Sequence, residues 1–311
     1  MNFKRVIAIA AVGALALGSA VSISLPASAA VNYCKVTNLK AAGGMDALVK
    51  AAKKEGTINL ITIPRNWANY GEAMDIFHKA FGIKIVDDNP DGSSAYELQT
   101  IATAPKEKQP DVVDIGVSAL LTVGGSNHNE IFSNYKVANW KHIPTQWKDP
   151  NGAWYGDYNG IIAISYDSTV SPEPKKIADL ANPAYKGMVA LGGDPSGAQQ
   201  AFISVFAASI AKGGSANNIQ PGIDFFKSLK ASGNFTSVLA DGPNYLSGAY
   251  KISLSWNFNG PGAIEAAKTA GKTLKYVIPS DAVVAGTPYI QAINKKAPHC
   301  AAARLWEEFL Y

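Results

Sequence analysis

The sequence contains few of the residues on which metal and nucleophilic chemistry depend. Its 311 residues include two cysteines, which lack metal-ligand spacing, and four scattered histidines, His78, His128, His142 and His299. Neither a GxSxG nor an HExxH motif occurs. Glu107 and Asp111 lie in a KEKQPD segment that we interpret as a solvated turn before a strand. Catalysis is therefore poorly supported, and we expect no cofactor, although a secreted hydrolase remains an alternative from another class.

The chain also has little net charge. Its formal charge of +4 includes Lys4 and Arg5, and without these two residues about +2 remains. A charge this small and dispersed does not favour a nucleic-acid partner. We expect a monomer that binds a small molecule.

The one long apolar run lies at the N-terminus. It extends from Val6 to about Ile23 and is followed by LPASAA, whose small residues suit signal peptidase, so residues 1–30 are predicted to be a signal peptide. A membrane anchor is the alternative, because the run is nearly long enough to span a bilayer. Tyr33 stands where a lipobox before Cys34 needs a small residue. We predict an exported, soluble, unlipidated protein, periplasmic or extracellular.

Cys34 and Cys300 are the only cysteines. An exported chain enters an oxidising compartment, where a disulfide between them would tie the mature N-terminus to the C-terminal region. Two unpaired thiols remain the alternative.

The first part of the mature chain alternates helical and strand patterns. We predict helices at Met45 to Lys54 and Glu72 to Phe81, a further helix capped at Ser94 with Glu97 completing a capping box, and strands at Ile58 to Ile63, Ile83 to Val86 and Asp111 to Val117. This order of strands and helices predicts parallel pairing with right-handed crossovers.

An aromatic segment containing Trp140, Trp147, Trp154, Tyr155 and Tyr158 precedes a second α/β pattern. There we predict strands at Ile161 to Tyr166, Met188 to Leu191, Ile252 to Trp256, Tyr276 to Pro279 and Tyr289 to Ile293, and helices at Gly197 to Lys212, Gly222 to Ala231, Tyr245 to Tyr250 and Ala301 to Tyr311. The last helix has no C-cap, so we expect that a C-terminal piece is missing.

Several stretches, in their order, resemble the extracellular solute-binding proteins of bacterial ABC importers, in the branch that includes ferric-iron, polyamine, thiamine and phosphonate binders. They are the leader, GTINLITIPRNWANYGEAMDIFHKAFGIKI, PDVVDIG, GAWYGDYNGIIAISYD, LANPAYKGMVALGGDPSGAQQAF and APHCAAARLWEEFLY. Together they cover nearly the whole mature chain.

The resemblance implies a two-lobed, type II periplasmic-binding-protein-like fold, with two mixed sheets flanked by helices and a ligand cleft at the hinge. Lobe one would contain residues 31–118 and 277–311, and lobe two residues 119–276. The lobes would close on a solute and deliver it to a membrane permease powered by an ATPase, without a covalent step. A sensor or adhesin with the same body is a further alternative.

Loops at the carboxyl ends of strands are the expected binding positions in such a fold. In lobe one the candidates are Arg65, Asn66, Trp67, Asn69, Tyr70, Ser93 and Ser94. In lobe two and at the hinge they are Trp154, Tyr155, Tyr158, Asp194, Ser196, Gly197, Trp256 and Asn257. Helix capping and ordinary packing are the competing explanations.

The charge of the ligand stays open at this point. Arg65 and the helix N-termini favour an anionic group, whereas Asp157, Asp194 and the aromatic residues favour an amine. An amine-bearing solute, such as a polyamine or an aminophosphonate, is the preferred prediction, and thiamine is an alternative. Ferric iron fits less well, because the iron binders typically use adjacent tyrosines, whereas Tyr155 and Tyr158 are spaced apart.

Overall fold

A computed structural model describes residues 31–122 and 128–311 of the chain. The predicted signal peptide, residues 1–30, lies outside the described residues. Within the described ranges, no helix is long and apolar enough to cross a membrane.

The first part of the fold alternates helices and strands much as the periodicity predicts. In chain order its elements are α1 (Met45–Glu55), β1 (Thr57–Ile61), α2 (Tyr70–Phe81), β2 (Lys84–Asp88), α3 (Ser94–Thr103), β3 (Val112–Gly116), α4 (Val117–Thr122), α5 (His128–Ile131) and β4 (Tyr155–Gly156). Short 3₁₀ segments occur at Lys106–Lys108, Trp140–His142 and Thr145–Trp147.

The remaining elements form the second half and the C-terminal return. They are β5 (Ile162–Asp167), β6 (Val189–Leu191), α6 (Gln199–Ala211), α7 (Gln220–Ser232), β7 (Phe235–Leu239), α8 (Gly242–Ser247), β8 (Ile252–Trp256), α9 (Gly260–Thr269), β9 (Leu274–Val277), β10 (Tyr289–Ile293) and α10 (Cys300–Leu310). Further 3₁₀ segments occur at Ile177–Ala181, Pro183–Tyr185 and Asn257–Asn259.

Three elements of the second half differ from the prediction. The helix predicted at Tyr245 to Tyr250 begins earlier, because Asp241 caps α8, and it ends at Gly248, whose φ is 82°. The half-exposed strand β7 and the helix α9 were absent from the prediction. Neither shows a strong apolar period in the sequence.

Within residues 31–122 and 128–311 the strands form three sheets. Strands β1 and β2 pair in parallel, as predicted, whereas β3 pairs antiparallel with β10 in a sheet of order β3-β10-β4. The start of the third strand still contacts β1, where Asp111 N donates to Asn59 O over 2.8 Å, but the predicted parallel ladder between them is not formed. The third sheet has the order β7-β6-β8-β5-β9 and mixes parallel and antiparallel pairs.

Two large apolar cores define two lobes. The first is built around β1 and α10 and includes Tyr135, Val137 and Tyr155 from the aromatic segment. The second surrounds the five-stranded sheet and includes Ala282 and Val284. The aromatic segment packs onto the first core, and β9 joins the five-stranded sheet. The lobe boundaries near residues 118 and 276 stay a prediction.

Two antiparallel connections join the lobes. Ile162 N donates to Val284 O over 3.1 Å, Gly286 N to Gly160 O over 2.8 Å, and Tyr289 N to Tyr158 O over 2.8 Å. Gly286 lies against Trp256, and a Cβ built at this glycine would be 2.2 Å from the indole Cη2. Residues 157–162 and 284–289 therefore form the hinge, with Tyr158 and Tyr289 at its centre.

The C-terminal helix α10 is anchored to the start of the chain. Cys34 and Cys300 form a disulfide with their Cα atoms 5.0 Å apart. Arg304, 1% exposed, donates to the carbonyl oxygens of Val36 and Cys34. The carboxylate of Glu55 accepts hydrogen bonds from the first backbone amides of the helix, at Ala301 and Ala302.

We predict that Cys34→Ser lowers the free energy of unfolding by about 2–5 kcal/mol, because the disulfide closes a long loop and so restricts the unfolded chain. Thermal unfolding with and without a reducing agent measures this effect. The reductant should lower the melting temperature of the wild type to that of the variant and leave the variant unchanged. Equal melting temperatures for the oxidised wild type and the variant would contradict a stabilising role.

Candidate functional site: a cleft between the lobes

A cavity of about 310 Å³ lies between the two lobes, and its wall includes the hinge residues Tyr158 and Tyr289. Residues from the loops after β1 and β2, from α3 and from β3 form the first-lobe side. The second-lobe side comes from β5, β8, the start of α6, and the elements β7, α8 and α9. The lobes also touch directly, since Trp67 packs edge-on against Phe258 with ring centroids 5.3 Å apart.

The first-lobe side of the cavity contains two buried carboxyl groups. Glu97 on α3 is 0% exposed and Asp114 on β3 is 4% exposed. One oxygen of Glu97 accepts a hydrogen bond from the backbone N–H of Asp114 over 3.1 Å. The other oxygen, Oε1, and Oδ1 of Asp114 have no hydrogen-bond partner among the described residues. Both atoms are buried, so a hydrogen-bond donor that reached them would satisfy acceptors that the described residues leave unpaired.

Tyr158 connects this carboxyl pair to the Trp67 loop and to the hinge. Its hydroxyl donates to Asp114 Oδ2 over 2.8 Å and accepts from Trp67 Nε1 over 2.6 Å. Its ring stacks on Tyr289 at a centroid distance of 5.1 Å and an interplanar angle of 7°. A second bridge lies behind it, where the Tyr70 hydroxyl donates to Asp157 and accepts from Gln291 Nε2.

The carboxyl groups are held in an environment that opposes their ionisation. Burial raises the pKa of Glu97 well above its usual value, and the charge of Asp114 raises it further. Burial also raises the pKa of Asp114, with the charge of Asp157 as the next cause. Loss of solvation raises the pKa of Asp157. This environment therefore favours protonated carboxyl groups, and a bound cation would favour their ionised forms.

The part of the second-lobe side that comes from β5, β8 and the start of α6 carries amides and hydroxyls that mostly bond to the protein. Gln200 Oε1 accepts from the backbone N–H of Trp256 over 3.3 Å, and the hydroxyls of Ser165 and Ser255 are 2.8 Å apart. Gln199 approaches the end of β3 so closely that a Cβ at Gly116 would be 2.3 Å from its Oε1. The glycine therefore permits the close approach of the two lobes.

Some of the residues predicted for the site line this cavity. They are Asn66, Trp67, Ser93, Ser94 and Tyr158. Helix α3 begins one residue earlier than predicted, because Ser93 is its cap and accepts from the Tyr96 N–H. The Ser94 hydroxyl accepts instead from the Gly116 N–H, and Glu97 turns inward rather than completing a capping box.

The other predicted first-lobe and hinge residues lie outside the cavity lining. Arg65 forms an exposed ion pair with Asp75 at 2.7 Å, and Asn69 Nδ2 donates to Glu72. Tyr70 and Tyr155 are buried in the first core, and Trp154 packs on a small neighbouring cluster.

The predicted second-lobe residues also lie outside the lining. Asp194 accepts from the N–H and hydroxyl of Ser196 within its own exposed turn. Gly197 O accepts from Ala95 N over 3.4 Å, so it forms a contact between the lobes. Trp256 is 0% exposed in the second core, and Asn257 Oδ1 accepts from Ile161 N. These side chains already form hydrogen bonds or packing contacts within the protein.

The sequence analysis did not assign Glu97, Asp114 or Tyr289 to the site. A signal existed for Asp114, because it is an acid inside the apolar run VVDIGV. Glu97 is four residues before the buried Ile101 and so lies on the same face of its helix. Charged residues in apolar positions are unusual unless they have a partner or a function.

A cleft between two α/β lobes joined by a two-strand hinge defines the class of two-lobed binding proteins. Residues 121–311 match the family profile described as "Bacterial extracellular solute-binding protein". The chain belongs to this family, whose members are non-enzymatic solute-binding components of ABC transporters. No curated protein matches the sequence.

Solved structures show the same type II periplasmic-binding-protein fold. The chain is similar to AfuA from Actinobacillus pleuropneumoniae with fructose-6-phosphate bound, at 17% identity and a TM-score of 0.61, covering 82% of this chain and 78% of that one. It is similar to iron-bound HitA from Pseudomonas aeruginosa, at 17% identity and a TM-score of 0.57, covering 81% and 80%. It is also similar to a putative spermidine/putrescine ABC transporter protein from Listeria monocytogenes, at 17% identity and a TM-score of 0.58, covering 82% and 77%.

We predict that Glu97→Gln stabilises the empty protein at pH 8 and has little effect at pH 5. A raised folded-state pKa means that the unfolded state loses its proton first, so stability falls as pH rises from the usual carboxyl value toward the raised one. Each pKa unit of difference is worth about 1.4 kcal/mol. Thermal melts across this pH range measure the effect.

The control for this experiment is Glu107→Gln, which removes an exposed carboxylate. It should leave the pH dependence of the melting temperature as in the wild type. A Glu97→Gln variant that is destabilised equally at both pH values would contradict the ionisation argument.

Proposed function

We propose that the protein captures a cationic, amine-bearing solute in the cleft and delivers it to an ABC permease and its ATPase. One observation carries the proposal. The buried oxygens Glu97 Oε1 and Asp114 Oδ1 lack hydrogen-bond donors among the described residues, although both side chains line the cavity. An ammonium group supplies several N–H donors and a positive charge, and so satisfies both acceptors and offsets their repulsion.

The charge distribution of the cleft supports a cation over an anion. Among the described residues, its lining has four acids, Asp91, Glu97, Asp114 and Asp241, and contains no lysine, arginine or histidine. Arg65, the one guanidinium that favoured an anion in the sequence, is paired with Asp75 away from the cavity.

Aromatic side chains add a second type of support. Trp67, Tyr158 and Tyr289 all line the cavity and contact one another. Their ring faces carry partial negative charge, and a desolvated ammonium or quaternary nitrogen near such faces is stabilised. This arrangement is compatible with polyamines, aminophosphonates and thiamine.

Ferric iron fits the cavity less well than an amine. Iron binders of this fold would need ionised phenolates, whereas the lining tyrosine hydroxyls bond to protein groups: Tyr158 to Asp114, Tyr245 to Asp167, Tyr250 to Asp241 O, and Tyr289 to Trp256. Burial is the largest cause that raises the pKa of the Tyr158 hydroxyl, and it is also the largest cause that raises the pKa of the Tyr289 hydroxyl. Both shifts favour the neutral phenol.

A thermal-shift screen of the mature protein tests the charge of the solute. Amine-bearing compounds, including putrescine, spermidine, thiamine and 2-aminoethylphosphonate, should include a stabilising ligand, because cations relieve the carboxyl repulsion. A ligand at 100 times its dissociation constant adds about 2.7 kcal/mol. Stabilisation by phosphate, sulfate or ferric citrate alone would contradict the proposal.

Calorimetric titration of variants tests the residues. For the amine found in the screen, Glu97→Gln and Asp114→Asn should each weaken binding at least tenfold, because each removes a charge from the amine site. Acidification from pH 8 to pH 5 should weaken binding by the wild type, because protons compete with the solute for the carboxyl groups. The exposed control Glu107→Gln should change affinity less than twofold, and equal affinities in all four proteins would exclude the carboxyl site.

A further inference from the structure

The two ends of the cavity differ in chemistry. The end on the first lobe carries the free carboxyl oxygens of Glu97 and Asp114. On the second lobe, beside the amides and hydroxyls of β5, β8 and α6, the lining has an apolar part from β7, α8, α9 and β9, namely Leu239, Leu246, Ala263, Ala266, Ala267 and Leu274. The aromatic residues Trp67, Tyr158 and Tyr289 also contribute to the lining.

The one carboxylate at the apolar end, unlike the pair on the first lobe, already accepts hydrogen bonds from the protein on both oxygens. Its one charged residue, Asp241, caps α8, with Oδ1 accepting from Asn244 N over 2.7 Å and Oδ2 from Asn244 Nδ2 over 3.1 Å. The Tyr245 and Tyr250 hydroxyls donate to Asp167 and to the Asp241 carbonyl. The remaining acid, Asp91, is solvent-exposed and belongs to the first-lobe side.

Two leucines on this wall retain unusual exposure. Leu239 is 45% exposed and Leu246 is 39% exposed, and both line the cavity. Apolar side chains exposed at the wall of a cavity are covered favourably by an apolar ligand group, since water is then released from both surfaces. A polyamine chain carrying a second charge would instead bring a hydrated ammonium group against these side chains.

We infer that the solute is a monoamine with an apolar or aromatic arm, its ammonium at Glu97 and Asp114 and its arm along Leu239, Leu246 and the α9 alanines. This inference rests on the proposed amine function and narrows it, because it excludes a linear diamine as the preferred solute. The apolar wall determines which amines bind tightly. The carboxyl pair determines that amines bind at all.

Three ligands that share a four-carbon amine chain distinguish the role of the apolar wall from that of the carboxyl pair. Butylamine carries only the ammonium, putrescine adds a second ammonium at the far end, and 4-phenylbutylamine adds an aromatic arm there. Calorimetry or competition on the full mature chain should give 4-phenylbutylamine at least tenfold tighter binding than butylamine, and putrescine no tighter than butylamine. Putrescine binding more tightly than 4-phenylbutylamine would overturn the inference and leave the amine function standing.

A variant of the wall gives the second measurement. Leu246→Ser should reduce the preference for 4-phenylbutylamine over butylamine to less than threefold. The matched control is Val283→Ser, at a residue that is 68% exposed and outside the lining, and it should keep the wild-type preference. Thermal melts establish that both variants fold.

Each remaining outcome is also decisive. An unchanged preference in folded Leu246→Ser would overturn the assignment of the arm to this wall. Failure of all three amines to bind, together with binding of an anion, would remove the proposed function and this inference with it.

Discussion

Two carboxyl groups, those of Glu97 and Asp114, meet in a buried position where the described residues supply no positive charge. Like charges removed from water repel strongly, so this pair is costly while it is ionised and empty. The surrounding elements nevertheless hold it in place. Helix α3 projects Glu97 against β3, the Asp114 N–H binds Glu97, and Tyr158 binds Asp114 from the hinge. Under the proposed function, a cationic solute would complete this interaction.

This arrangement gives a physical route from binding to movement of the lobes. Tyr158 belongs to the hinge and contacts Asp114, Trp67 and Tyr289 simultaneously. We propose that a solute that changes the charge of Asp114 alters the hydrogen bond that Asp114 receives from Tyr158, and so acts on the hinge. Contacts from both lobes then favour the closed state, which is how a two-lobed binding protein signals occupancy to its transporter.

Local sequence patterns predicted many of the helices and strands. They could not predict contacts between residues that are far apart in the sequence. The apolar periods of α1 and α2 are visible over eleven and twelve residues, and β1 is a short apolar run of five. The place of the Trp67 loop in the cleft follows from the rule that ligands bind beyond strand ends. The pairing of β3 with β10 joins residues more than 170 positions apart, so no local pattern reports it. Trp256 and Tyr155 were predicted to lie in the cleft, but an aromatic side chain suits a core as well as a ligand. Glu97 matched a capping box in sequence, and only the packing of α3 on β3 shows that it turns inward.

The most direct measurement is a crystal structure of the mature protein with the tightest-binding amine. The account predicts that the ammonium nitrogen lies within about 2.7–3.2 Å of Glu97 Oε1 and Asp114 Oδ1, with Trp67 and Tyr158 beside it. A solute bound elsewhere in the cleft, with both of these oxygens still lacking a donor, would contradict it.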